Sequence, residues 1–165
     1  MYEKLERYKV NLVPFRGYEV QGQWKDDIHD IRTRILFDFL SYEVLEADVE
    51  VAAAPFDICQ QGVEVIKELV GLKAGNGYIR TIREKIMSQK GCMHIGELAQ
   101  YSLTAALNCA AREIPEWVDP EEYNQRWTFW QQAYKDCCIY FSQPDALDKF
   151  QDDIKNVFNR KKEGE

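Results

Sequence analysis

In Tyr18-Glu19-Val20-Gln21-Gly22-Gln23-Trp24-Lys25, apolar and polar residues alternate, which predicts a half-buried strand. Asp26-Asp27 reads as a turn. In the segment His29 to Phe37, His29, Ile31, Thr33, Ile35 and Phe37 share one face, with Asp30, Arg32 and Arg34 on the other. A further strand from Glu43 to Val51 puts Leu45, Ala47, Val49 and Val51 on one face and Glu46, Asp48 and Glu50 on the other. Strands this close in sequence predict an antiparallel meander with one wet face. A strand around Tyr8 to Val13 is expected to add an edge.

Beyond residue 53 the period changes to that of helices. Asp57, with Gln60 three residues on, reads as a capping-box start for a helix to about Val70. Gly71, Gly75 and Gly77 break it. A second helix is expected from Tyr78 to Gln89. A third opens in Gly91-Cys92-Met93-His94 and runs to about Glu113 through Leu98, Leu103, Ala106, Leu107 and Ala110. Ile114 to Pro120 reads as a linker. After it Tyr123, Trp127, Trp130, Tyr134, Cys137 and Phe141 recur at alternating four- and three-residue steps, one helical stripe that Pro144 ends. Leu147, Phe150, Ile154 and Phe158 mark a last helix. The fold class that results is α+β: an antiparallel three- to four-stranded meander with helices packed on one face, plus a C-terminal helical pair. One domain is expected over residues 1–165, with an α+β body over 8–113 and the C-terminal helices over 119–161.

The 165 residues suffice for one such domain. Net charge is −7, with 28 acidic against 21 basic residues, which argues against nucleic acid as a partner. No apolar run approaches a membrane span. The first residues, MYEKLERYKV, lack an apolar core followed by a cleavage site, so the expected location is cytoplasmic. The cysteines are Cys59, Cys92, Cys109, Cys137 and Cys138, an odd count that argues against a disulfide framework.

Two of these thiols fall at expected helix starts, Cys59 after Asp57 and Cys92 before the third helix. Helix N-termini carry partial positive charge and free N–H groups, which favours thiolate, the nucleophilic and metal-binding form. His29 lies on the apolar face of its strand, near the strand's beginning, where one end of the sheet can meet those helix starts. With His94 the set is two thiols and two imidazoles, a composition that suits tetrahedral zinc or an iron–sulfur cluster. No C-x-x-C or H-x-x-x-H pair is present, so the ligands have to converge through the fold. Cys109 and Cys137 read as core. Cys138 lies off the aromatic stripe and is a further candidate. The stripe itself reads as a packing seam or a homodimer seam.

The succession His29-Asp30-Ile31-Arg32, Ala54-Pro55-Phe56-Asp57-Ile58-Cys59, Leu69-Val70-Gly71-Leu72 and Gly91-Cys92-Met93-His94-Ile95-Gly96-Glu97-Leu98 resembles a bacterial domain-of-unknown-function family, number twenty-eight eighty-nine, from about Tyr8 to Cys138. The resemblance implies a compact intracellular α+β protein and no particular activity. The layout also resembles, remotely, the NifU-type iron–sulfur assembly scaffolds. Their first two cysteines would correspond to Cys59 and Cys92, and an aspartate of theirs to His29. The glycine-rich surroundings of their first cysteine are missing here, their third cysteine has no clear counterpart, and His94 follows Cys92 by two instead of standing directly before a last cysteine.

Three functions follow as expectations. The first is a metal ion or iron–sulfur cluster held by Cys59, Cys92, His94 and His29. The second is a thiol-dependent enzyme with Cys92 as nucleophile and a histidine as base. The third is a non-catalytic interaction or dimerisation module using Trp127 and Trp130.

Overall fold

The computed structural model describes residues 1–110, 115–123, 125–126 and 134–163. Met1–Ala110 and Ala111–Glu165 form two compact units.

In the first unit β1 (Leu5–Val13), β2 (Gly17–Lys25), β3 (Asp30–Asp38) and β4 (Val44–Ala53) make one sheet in sequence order. Every pair is antiparallel, as the period-2 patterns and short turns require. Val20, Ile31, Ile35 and Phe37 are fully buried on the inner face. Helix α2 (Met93–Ala110) lies across β1, β2 and β3 and buries Ile95, Leu98, Ala99, Ser102, Leu103 and Ala106. That three- and four-residue spacing is the apolar stripe of a surface helix. The fold is α+β.

Three local expectations need correction. In β4 the register slips between Leu36 and Phe37, so that Phe37 pairs with Val44 while Leu36 pairs with Glu46. Val44 and Ala47 are therefore the buried residues, and Leu45 is only half-buried. The single helix expected from Asp57 is instead two short 3₁₀ turns, Asp57–Gly62 and Glu64–Leu69. No side chain caps the first turn, and Gln60 donates through Nε2 to the Val51 carbonyl at 3.0 Å. The capping box fails because its glutamine is taken by the sheet edge. The helix expected to start at Tyr78 begins at Asn76: α1 (Asn76–Thr81) continues as a π-helical turn over Ile82–Ile86 and ends at Met87. Tyr78 locks it to α2, its buried hydroxyl donating to the Ala99 carbonyl at 2.7 Å.

In the second unit Asp119 caps a helical start by accepting the Glu121 and Glu122 N–H groups. The stripe expected to be helical as far as Phe141 is not so at its end: Tyr134 is followed by turns from 135 to 145, and α3 (Ala146–Glu163) begins after them. Cys137 is consequently exposed on a turn, not packed on a helix as its spacing suggested. Trp127 and Trp130 lie outside the described residues. Among the described residues no helix is long and apolar enough to cross a membrane.

Candidate functional site

Cys92 is the residue before the first turn of α2, and its carbonyl accepts the Gly96 N–H at 3.1 Å. Its own N–H donates to the Ile86 carbonyl at 2.9 Å, which ties it to the end of the π turn. The preceding Gly91 permits this approach. A Cβ there would stand 2.0 Å from the Ile86 oxygen, so a side chain cannot be accommodated without moving backbone. Gly91 also abuts Gly62 of the first 3₁₀ turn, where a Cβ would come within 3.2 Å of the Gly91 backbone. The two glycines set how closely the 57–62 segment meets the start of α2.

Two residues on, His94 Nδ1 lies 3.7 Å from Cys92 Sγ. The His94 ring packs against Trp24 of β2, with centroids 4.5 Å apart, and against His29, with centroids 4.3 Å apart. Burial, followed by the neighbouring His29 imidazole, pushes the His94 pKa below its ordinary value. Both effects favour the neutral imidazole of His94.

His29 stands immediately before β3 and is oriented by Asp26. Asp26 Oδ1 accepts the N–H groups of Ile28 at 3.0 Å and His29 at 2.7 Å, closing the β2–β3 turn. The same carboxylate meets His29 Nδ1 at 3.0 Å, accepts Trp24 Nε1–H at 3.0 Å and takes the Tyr2 hydroxyl at 3.3 Å. The Asp26 side chain is only 4 % exposed. The Trp24 hydrogen bond, joined by those from Ile28 and His29, holds its carboxyl well below the usual carboxylate range. An ionised carboxylate only accepts, so His29 Nδ1 carries a proton and, in the neutral ring, Nε2 is the free acceptor. Lys4 lies over the Trp24 ring, 4.0 Å from its centroid.

Cys92, His94 and His29 therefore come together from two elements. Cys59 sits in the first 3₁₀ turn, its N–H on the Phe56 carbonyl, and among the described residues no hydrogen bond joins it to the other three. Among the described residues no three His, Cys, Asp or Glu side chains are arranged to hold a metal ion. Cys138 belongs to the second unit. Sequence reasoning took Asp26 for a turn residue and Trp24 for one apolar position in the alternation of its strand. The available signal was an aspartate two and three residues before the backbone N–H groups it caps, the second of them that of an inward-facing histidine.

An open hollow of about 950 Å³ lies elsewhere, bordered by Arg7, Lys9, Arg32, Arg34, Asp48 and Glu50. Its charges are largely balanced internally: Arg34 meets Glu19, Glu46 and Asp48, and Arg32 meets Asp30 and Glu50. It shares no residue with the Cys92–His94 cluster.

A comparison with curated proteins and with solved structures finds no match, so the layout likeness to iron–sulfur scaffolds gains no support there. A family described as "Protein of unknown function (DUF2889)" matches residues 11–108, which takes in the end of β1, all of β2 to β4, the Asp26–His29 turn and the Cys92–His94 helix start but stops short of Cys138. With more than half of its length matched, the chain belongs to the DUF2889 family.

Proposed function

We propose that Cys92 and His94 form a reactive thiol–imidazole pair, with Cys92 as the nucleophile and His94 as the group that takes its proton. The observation that carries this is the 3.7 Å approach of Sγ to an imidazole nitrogen whose ring is kept neutral by burial. A sulfur–nitrogen approach of that length puts the thiol within reach of an imidazole nitrogen that, in the tautomer protonated at Nε2, accepts its proton. Trp24 and His29 hold the ring from the sides, and Asp26 holds His29, so the base is positioned by packing and not by a second charge. The chemistry that follows is attack of a thiolate on an electrophilic centre of the substrate, with the proton parked on His94. Alkylation of the full chain with iodoacetamide tests it. Cys92 is expected to react faster than Cys59 and Cys109, and His94→Gln to slow it by about tenfold or more. Equal rates at all the half-buried cysteines, unchanged in His94→Gln, would sink the proposal.

A second reading is favoured by one specific distance. Bonds of about 2.3 Å to sulfur and 2.0–2.1 Å to nitrogen put two ligands of a tetrahedral zinc about 3.6 Å apart, close to the Cys92–His94 spacing. His29 resembles a metal-binding histidine too, with one ring nitrogen on a carboxylate and, among the described residues, no hydrogen bond to the other. Zinc would then need His29 and Cys59 to close around it. Equilibrium dialysis against zinc decides between the two: one tightly held ion, lost in both Cys92→Ser and His29→Gln, selects the metal reading over the nucleophile.

A further inference from the structure

We propose that Cys137 and Cys138, in the second unit, form a surface dithiol that a hydroperoxide oxidises, Cys138 being the sulfur oxidised first and Cys137 the one that resolves it. The two are adjacent and both exposed, on a turn outside the family match. The turn is tightly built. The Cys137 N–H returns to the Tyr134 carbonyl at 3.0 Å, Asp136 adopts a left-handed φ of 60°, and the Asp136 N–H reaches the Phe141 carbonyl at 3.3 Å. The Ser142 N–H and hydroxyl both donate to the Cys138 carbonyl, at 2.9 Å each. Behind the turn Tyr134 stacks on Phe141 with ring centroids 5.4 Å apart, and Phe141 packs on Phe150 at 5.3 Å.

This folding wraps the backbone N–H groups of Phe141 and Tyr140 around the Cys138 sulfur and places the Cys137 thiol as a further donor to it. These hydrogen bonds, that from the Phe141 N–H foremost, lower the Cys138 pKa and favour its thiolate. Cys137 moves oppositely: partial desolvation by the turn, then the neighbouring Cys138 charge, push its pKa up. One sulfur is thus prepared to attack and the other to follow.

The step balances with a hydroperoxide as oxidant. With hydrogen peroxide, the Cys138 thiolate attacks one peroxide oxygen, the O–O bond breaks, a sulfenic acid forms, and the departing hydroxide takes a proton from solvent to leave as water; an organic hydroperoxide releases its alcohol instead. The Cys137 sulfur then attacks the Cys138 sulfur, the S–OH bond breaks, a second water leaves and the S–S bond closes. Two electrons pass from the dithiol to the peroxide. Neighbouring Cα atoms about 3.8 Å apart are closer than an ordinary disulfide prefers, so the bond is strained and readily reduced. That is the property of a reversible modification and not of a structural staple.

Intact-mass and peptide analysis of the full reduced chain, titrated with hydrogen peroxide, tests the proposal. The expected result is loss of two hydrogen atoms on the peptide holding Cys137 and Cys138, restored by dithiothreitol. Cys137→Ser should stop at a Cys138 sulfenic acid that dimedone traps, and Cys138→Ser should slow oxidation of this turn by roughly tenfold. The proposal is overturned if wild-type protein keeps a stable Cys138 sulfenic acid, if Cys138→Ser oxidises at the wild-type rate, or if peroxide is consumed at Cys92 while this pair stays reduced. A Cys92→Ser background separates the result from the chemistry proposed for the first unit.

Discussion

His29 and His94 meet ring to ring, their centroids 4.3 Å apart and their planes tilted by 51°, one at the start of β3 and the other in the first turn of α2. Each imidazole has its own outer partner, Asp26 for His29 and Cys92 for His94. The contact therefore joins a carboxylate on the sheet to a thiol on the helix through two packed rings.

Asp26→Asn keeps the shape of that carboxylate and removes its charge. The variant retains one acceptor oxygen for the Ile28 and His29 N–H groups but places an NH₂ against Trp24 Nε1–H or His29 Nδ1–H. The expected outcome is a lower thermal midpoint together with slower alkylation of Cys92, because His29 no longer braces His94. Trp24→Phe separates the two effects. It keeps a ring against His94 while deleting the donor to Asp26, so it should cost stability and spare most of the Cys92 reactivity.

The half-buried His94 makes stability depend on pH in a stated direction. Its folded-state pKa lies below 6.5, so the unfolded chain takes up the proton more readily. Its neutral form is fully accommodated above that value, and stability declines as pH falls from 6.5 toward the depressed folded value. Asp26 acts in the same direction but later, its stabilisation fading as pH drops below 3.8 toward its own depressed pKa. Urea midpoints measured from pH 7.5 to 5 should fall for the wild type, and the slope in this window should flatten in His94→Gln. An unchanged slope would mean that His94 charges freely in the folded state.

Gly91→Ala tests the junction that presents Cys92. The new Cβ would meet the Ile86 carbonyl oxygen at 2.0 Å and Val65 Cγ2 at 3.1 Å, and the oxygen belongs to backbone that cannot swing away. A loss of about 1–3 kcal/mol is expected, the usual range for overpacking. Because the same oxygen accepts the Cys92 N–H, alkylation of Cys92 should change as well. Urea unfolding with the alkylation assay reads both.

Tyr78→Phe removes the hydroxyl that joins α1 to α2 and leaves the ring in place. The lost hydrogen bond to the Ala99 carbonyl should cost about 1 kcal/mol, with no effect on Cys92. A larger loss, or altered Cys92 reactivity, would show that α1 supports the site as well as the core.

The sequence by itself determined the sheet. Alternation through β2 and β3 forces one face inward whatever the rest of the chain does, since a slip of one residue would expose Val20, Ile31 and Ile35 together. The same logic put His29 on the inner face and His94 at a helix start, so their meeting at one end of the sheet was legible from pattern and position. The tertiary structure decided the rest, wherever close approach or competing partners outweighed a local signal. Gln60 pairs with the sheet edge instead of capping, and Gly62 packs on Gly91, so the segment holding Cys59 becomes 3₁₀ turns. Cys137 leaves the helical stripe because the chain turns at Asp136 to close on Phe141. Asp26 shows the difference most plainly. Its turn was readable from neighbouring residues, but its role as the carboxylate that holds His29 requires Trp24, His29 and Tyr2 to converge on one buried carboxylate, and only the folded sheet brings them there.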